Sequence, residues 1–170
     1  MIIFFVYACE GQCQPEPNER MTVLKAGLIN GISSYVTWPM MANNDALMVC
    51  LLAKNDGFSE SLKRFYQQKS RKTDREMNIK VVSVDRLKHC HLVVLLDEQN
   101  RQSAQLLLSV GKSPILTISD DPSFTANGGH ISFFKENNKL RFEINYQATI
   151  DSGLKVSSRL LKLARVINKQ

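Results

Sequence analysis

The sequence predicts a single α/β domain: one layered unit with a mostly parallel central sheet, helices on both faces and an added antiparallel hairpin near the C-terminus. Short continuous apolar runs, such as residues 46–53, alternate with amphipathic helical patterns, which is typical of parallel strands buried on both faces. Two alternating segments around residues 136–138 then predict the hairpin. At 170 residues and 44% hydrophobic content, the chain fits one domain with a sizeable core.

The first half of the domain is predicted to contain two helices around one buried strand. Helical periodicity from Thr22 indicates a helix that ends at Trp38, because the residue before a proline disfavours helical backbone. The run 46–53 is the strand, and 58–68 is a helix with Ser59 as its N-cap. The side chains predicted to face inward are Val23, Leu24, Leu28, Ile29, Ile32, Tyr35 and Val36 in the first helix, and Phe58, Leu62 and Phe65 or Tyr66 in the second.

The second half continues the alternation and then changes. Strands are predicted at 79–84, 91–96 and 114–119, with a helix at 101–110 that Gly111 ends. The hairpin strands are 128–135 and 139–146, and in the second one Leu140, Phe142 and Ile144 alternate with Arg141, Glu143 and Asn145. A last helix is expected at 156–167, with Val156, Leu160, Leu163, Ala164 and Ile167 inward and Lys155, Arg159, Lys162, Arg165 and Lys169 outward.

Residues 1–20 are interpreted as an export signal remnant and linker, and 21–170 as the domain. The start "MIIFFVYAC" is an apolar run that ends in small Ala8 and is followed by a proline-containing polar segment, as in the back half of a secretory signal. Because Ile2 follows Met1 directly, the usual basic opening is missing, so the start is truncated or atypical. The alternative is a short buried strand. "VYAC" also resembles a lipid-attachment pattern at Cys9, which is left open.

The charge of the chain does not select a partner. A formal net charge of +6 suits nucleic acid, an anionic membrane or an acidic protein equally well. The basic stretch 63–75 includes Phe65 and Tyr66, but these fall on the apolar side of the predicted helix, so a solvated helix end is favoured over nucleic-acid binding. No apolar run approaches the roughly 18 to 20 residues of a membrane span.

The tripeptide His89, Cys90, His91 invites a metal or catalytic interpretation, but neither is favoured. Successive strand residues point to opposite faces, so the three side chains do not converge, and a cysteine nucleophile would lack an oriented base. His130 is the one further histidine, and the histidines are expected to be ordinary strand-end or surface side chains. Asp120 and Asp121 before a proline could bind a cation, but a solvated turn or helix cap is favoured. We therefore predict no catalytic residues, no metal and no cofactor.

The cysteines suggest a disulfide instead. An export-like start implies an oxidising compartment, and Cys50 and Cys90 lie in or beside predicted strands of one sheet. Their pairing is the one to test, because pairing with Cys9 or Cys13 would tie the core to a polar tail. Two buried free thiols remain the alternative.

Several blocks together resemble the YfiR family. In order they are "GISSYVTWP" (31–39), "LMVCLLA", "CHLVVLL", "PILTISDDPSF", "GGHISFF" and "LRFEINYQATIDSGLKVSSRLLKLA", which cover roughly residues 21–166. Cys50 and Cys90 match the positions of the family's structural disulfide. Two features depart from the family and bear on redox switching and ligand binding: the segment matching "SFTANGGHISFF" has no cysteine, and Ser157 stands where a histidine can occur in a small-ligand pocket.

The resemblance implies a periplasmic repressor, usually a homodimer, that binds the periplasmic domain of an inner-membrane YfiN-like diguanylate cyclase. An outer-membrane lipoprotein of the YfiB type relieves the repression, and the output is cyclic di-GMP, hence biofilm and motility. The matching "WP" and "RFEIN" blocks imply a partner-binding patch around Trp38, Phe142, Glu143, Asn145 and Ile150. The alternative for Trp38 and Phe142 is the core, because tryptophan is often largely buried.

Two further classes of function stay open at this stage. A ligand-sensing module without a cyclase partner would need a concave pocket. An enzyme is the weakest of the three hypotheses, because no motif supplies reacting groups.

Overall fold

The structure, a computed structural model, describes residues 17–39, 41–42, 45–52, 56–69, 76–96 and 102–168. The predicted signal and Cys9 and Cys13 lie outside these residues. The helices are α1 (Pro17–Ser33), α2 (Asp56–Lys69), α3 (Ser103–Val110), α4 (Tyr146–Asp151) and α5 (Ser158–Leu161), with a 3₁₀ segment at Val84–His89. The strands are β1 (Val36–Thr37), β2 (Leu47–Leu51), β3 (Met77–Val81), β4 (Leu92–Leu95), β5 (Leu116–Ser119), β6 (Ile131–Glu136), β7 (Lys139–Asn145), β8 (Lys155–Val156) and β9 (Arg165–Ile167).

Seven strands form one sheet in the order β3-β2-β4-β5-β6-β7-β9, and β1 pairs with β8 in a separate two-stranded sheet. Neighbours in the large sheet run parallel, except that β6 and β7 form an antiparallel hairpin. Asn137 and Asn138 make the hairpin turn at φ values of 49° and 58°. Asparagine tolerates this left-handed backbone better than most residues, which is why "ENN" can close so tight a turn. The predicted α/β class, parallel sheet and hairpin are confirmed.

The sheet is covered on both faces, as the continuous apolar strands predict. On one face α1 and α2 bury Ile29, Ile32 and Leu62 against Val49 and Leu92. On the other face the 3₁₀ segment and α3 bury Leu87, Leu106 and Val110 against Val93 and Leu95. Of the helices in the described ranges, none is both long and apolar enough to cross a bilayer.

The two N-terminal helices differ from the predictions at their ends. Helix α1 ends at Ser33 rather than at Trp38, and the chain then forms β1 beside β8. Val23, Leu24 and Tyr35 were expected to face inward, and they are exposed. Helix α2 begins at Asp56, so Ser59 lies inside its first turn, where its side chain is buried, and the predicted N-cap is wrong.

The predicted last helix at 156–167 is wrong. Ser157 caps a single turn, because its side chain accepts a hydrogen bond from the backbone of Leu160, and the chain then extends into β9. Strand β9 pairs in parallel with β7, which places Val166 opposite Ile144. Tertiary pairing with an available sheet edge therefore overrides the local helical periodicity of this segment.

Candidate partner-binding surface

The hairpin and β9 present one polar face that combines both signs of charge with an aromatic ring. In a sheet, residues opposite one another in register share a face, and Phe134 lies opposite Arg141 while Glu143 lies opposite Arg165. Glu136 lies on the same face, two residues beyond Phe134 on β6. We call Phe134, Glu136, Arg141, Glu143 and Arg165 the charged face. The other face of the hairpin carries Phe133, Phe142 and Ile144 into the core.

Arg165 organises this face. Its guanidinium lies 4.1 Å above the centre of the Phe134 ring and donates a hydrogen bond of 2.7 Å to Glu136. Arg141 lies 3.8 Å from the other carboxylate oxygen of Glu136. The side chains of Arg141, Glu136 and Arg165 are 51%, 43% and 51% exposed, so a partner can reach them without unfolding the sheet.

Sequence reasoning did not identify Phe134, Glu136 or Arg165 as candidate site residues. Arg165 was placed on a helix, which hid its position beside the hairpin. A signal for Phe134 was present, because in "ISFFKE" it alternates with the core residues Ile131 and Phe133.

Glu143 is less accessible than its alternation on the strand suggested. Its side chain is only 16% exposed and accepts a hydrogen bond from the buried Thr125 hydroxyl. A guanidinium nitrogen of Arg165 lies 4.0 Å from its second oxygen. Glu143 therefore links the charged face to the turn at 121–128, and changing it perturbs the fold as well as the surface.

Asn145 is fully buried and has a structural role. Its side-chain oxygen caps α4 by accepting from the backbone of Ala148, and its amide donates to the carbonyl of Thr125. The expectation that Asn145 is exposed to a partner is wrong, because both ends of its side chain are used inside the protein.

Trp38 and Phe142 are core residues, which is the alternative that the sequence left open for them. Trp38 is 3% exposed, and its indole nitrogen donates a hydrogen bond of 2.8 Å to the carbonyl of His91. Phe142 is 7% exposed and lies opposite Phe133. Of the five proposed partner-binding residues, only Ile150 on α4 is largely exposed, at 48%. The structure does not bring the five into one exposed patch.

Cys50 and Cys90 form a disulfide, with their Cα atoms 5.8 Å apart. His89 ends the 3₁₀ segment at the surface, whereas the ring nitrogen Nδ1 of His91 accepts a hydrogen bond from the backbone of Met48. The tripeptide therefore anchors the start of β4. Within the described part of the chain, no group of three or more His, Cys, Asp or Glu side chains could hold a metal ion.

The acidic pair after β5 does not form a solvated turn, which was one of the two structures that the sequence predicted for it. Asp120 pairs with Lys25 of α1 at 2.8 Å, and Asp121 is buried, where it accepts hydrogen bonds from the backbone and hydroxyl of Ser123. Both side chains therefore hold the turn that precedes Phe124, whose ring fills the second core.

His130 is buried and directly precedes β6, so it is a strand-end residue rather than a surface one. Its Nδ1 atom accepts from the backbone of Thr117 at 3.1 Å, and its Nε2 atom lies 2.9 Å from the hydroxyl of Ser152. Burial lowers the pKa of His130 to about 4, against the opposing effect of a hydrogen bond to the backbone of Ala148. A neutral imidazole in this place is a structural bridge between β5 and the end of α4.

Two comparisons with known proteins agree with this architecture. The structure is similar to that described as the ABC domain in complex with L-Trp from Streptococcus pneumonia, with a TM-score of 0.55 and 12% sequence identity. The match covers 86% of this chain and 60% of that one, and at this identity it shows the fold alone.

The sequence itself gives a closer assignment. The YfiR/HmsC-like family matches residues 22–165, which span both cores, the disulfide and the charged face. Membership is consistent with a regulatory protein of the periplasm, and the resemblance to the YfiR family is confirmed. The chain belongs to the YfiR/HmsC-like family.

Proposed function

We propose that the protein is a periplasmic negative regulator that binds the periplasmic domain of an inner-membrane YfiN-like diguanylate cyclase and lowers cyclic di-GMP signalling. It would act as a homodimer, with a YfiB-like outer-membrane lipoprotein relieving the repression. The observation that carries the proposal is the family match over residues 22–165. The Cys50–Cys90 disulfide supports it, because such bonds persist in oxidising compartments such as the periplasm.

The charged face is the surface that we assign to the cyclase. It offers what protein interfaces favour: an aromatic ring and two arginines at the centre, with carboxylates between them. Glu143 belongs to its buried border, whereas Trp38, Phe142 and Asn145 are buried in the interior and are not part of this face. Ile150 is a second exposed position for contact.

The regulatory role is tested by deleting the gene in strains with and without a co-resident YfiN-like cyclase and measuring cellular cyclic di-GMP. Loss of a repressor should raise cyclic di-GMP only where the cyclase is present. An equal rise in both strains, or no rise in either, contradicts the proposal.

The surface assignment is tested by complementing the deletion with single variants. Arg141→Glu reverses a charge at the centre of the charged face, and its long contact to Glu136 is too exposed to contribute much stability. It should lose repression while it keeps the melting temperature of the parent. Lys112→Glu, an exposed reversal beyond α3, is the matched control and should repress normally. Full repression by Arg141→Glu would place the interface elsewhere.

Localisation is tested separately. Fractionation should recover the mature chain from the periplasm, and recovery of chains that begin at Met1 from the cytoplasm would count against export. Whether Cys9 carries a lipid is decided by mass spectrometry of the same fraction.

The second candidate is a periplasmic ligand-sensing module without a cyclase partner. It is favoured by one observation, a groove beside the disulfide that is wide enough for a small molecule. The deletion experiment separates the two roles, since a module without a cyclase leaves cyclic di-GMP unchanged in both strains.

A further inference from the structure

A groove of about 940 Å³ runs along the side of the sheet that faces α3. Strand β2 forms its floor, the edge strand β3 and the start of the 3₁₀ segment form one wall, and α3 forms the other. This volume lies within the range of roughly 300 to 1,000 Å³ that is typical of small-molecule sites. The groove is separate from the charged face, which lies on β6, β7 and β9.

The floor of the groove is apolar. Leu52 and the disulfide of Cys50 and Cys90 are almost wholly buried, and Met48 and Val82 are half-buried beside them. A ligand lying here would cover the parts of Met48 and Val82 that still contact water. The floor therefore favours the apolar body of a ligand.

The rim of the groove is mostly cationic. Lys80 and Arg86 are the basic residues of the rim, and Asp85 is the acidic residue among them. Arg86 lies 3.8 Å from Asp85, but both side chains are about three-quarters exposed, so this contact is weak. Within the described residues, Lys80 has no ion-pair partner. The amides of Gln102 and Gln105 add hydrogen-bond donors on the opposite wall.

We propose that this groove binds a small, soluble organic anion: an aromatic or aliphatic body over Met48, Leu52 and the disulfide, with a carboxylate or sulfonate beside Lys80. An apolar floor with a rim of net positive charge is complementary to such an amphipathic anion, whereas an uncharged apolar compound leaves Lys80 unused. The inference does not rest on the proposed repression, because it predicts binding by the isolated protein in the absence of any cyclase.

The test uses 8-anilinonaphthalene-1-sulfonate as the probe and N-phenyl-1-naphthylamine as its uncharged analogue. Fluorescence titration of the folded, oxidised protein should show saturable one-to-one binding of the sulfonate. Lys80→Glu should weaken the sulfonate about tenfold, since it replaces an attractive charge by a repulsive one at close range, and should leave the analogue unchanged. Lys88→Glu is the matched control, because Lys88 is an exposed lysine on the neighbouring 3₁₀ segment that lines a different cavity, beside Trp38. It should change the sulfonate affinity less than twofold.

A second variant tests the floor independently of charge. Met48→Trp fills the groove, and it should weaken both probes alike while it keeps the disulfide and a cooperative melt. The proposal is overturned if the sulfonate does not saturate, if Lys88→Glu weakens it as much as Lys80→Glu does, or if folded Met48→Trp binds both probes as the parent does. Each of these outcomes leaves the cyclic di-GMP experiment unaffected, so failure here is distinguishable from failure of the proposed function.

Discussion

The Nε2 atom of His130 lies 2.9 Å from the hydroxyl oxygen of Ser152, inside the protein. The backbone N–H of Thr117 already points at the other ring nitrogen, so the imidazole is neutral with its proton on Nε2. A second proton on Nδ1 would oppose the Thr117 N–H, and burial adds the cost of desolvating the charge. The bridge between β5 and the end of α4 therefore exists only in the neutral form.

The free energy of unfolding should fall as the pH is lowered, because His130 is buried in its neutral form. Its pKa is lowered to about 4 in the folded protein from 6.5 in the unfolded chain, so its contribution is complete above pH 6.5 and is lost as the pH falls towards 4. The loss is about 2 to 3 kcal/mol at pH 4.5. Urea denaturation at pH 7.0 and 4.5 measures it, and His130→Gln is the control, since it should show a smaller pH dependence than the parent. Equal pH dependence in both proteins contradicts the assignment.

Reduction of the disulfide should destabilise the protein strongly. The bond joins residues separated by 40 positions, and closing such a loop stabilises by about 4 kcal/mol in the chain-entropy model. Thermal melts with and without reductant should differ by many degrees, whereas a Cys50→Ala, Cys90→Ala double variant should be insensitive to reductant. Peptide mapping without reduction that finds both thiols free would refute the bond.

Two leucines three positions apart separate the observed C-terminal structure from the helix predicted by periodicity. Leu160 is 2% exposed in the core and Leu163 is 64% exposed. Leu160→Asp should unfold the domain, at a cost above about 4 kcal/mol, because it buries an unpaired charge. Leu163→Asp should change the free energy of unfolding by less than about 0.5 kcal/mol. Equal destabilisation by both variants would support the helix instead.

Glu143→Lys should lower the free energy of unfolding as well as weaken binding. It removes the acceptor of the Thr125 hydroxyl and puts a second cation beside Arg165, at a cost of about 2 to 3 kcal/mol. Glu143→Gln keeps an acceptor and should cost less than half as much. Chemical denaturation of both variants at low salt checks this, and a fully stable Glu143→Lys would mean that the side chain turns outward as its alternation first indicated.

The sequence was sufficient for the parts of the fold that local pattern determines. Continuous apolar runs predicted β2, β4 and β5, because strands buried on both faces accept few polar residues. The asparagine pair predicted the hairpin turn, because few residues tolerate left-handed backbone. Gly111, at φ 50°, likewise marks the end of α3. The family blocks then aligned Cys50 with Cys90, which the structure joins.

The remaining features depend on contacts that a linear pattern does not contain. Leu160, Leu163 and Ile167 have helical spacing, but the open edge of β7 decides that Arg165–Ile167 becomes a strand. Trp38 was uncertain because its burial depends on the carbonyl of His91, 53 residues away. Alternation placed Glu143 on the correct face, yet the turn that carries Thr125 covers it.

The disulfide also sets apart one segment of the domain, the loop between Cys50 and Cys90. The loop that it closes contains α2 and the edge strand β3, and both of its anchors, Cys50 in β2 and Cys90 before β4, lie in the interior of the sheet. Strand β3 and helix α2 can therefore separate from β2 and return to it while Cys50 and Cys90 stay fixed in the native sheet. Amide hydrogens of β3 should therefore exchange by local opening, at rates set by that segment alone, whereas those of β4 and β5 exchange only when the whole domain unfolds.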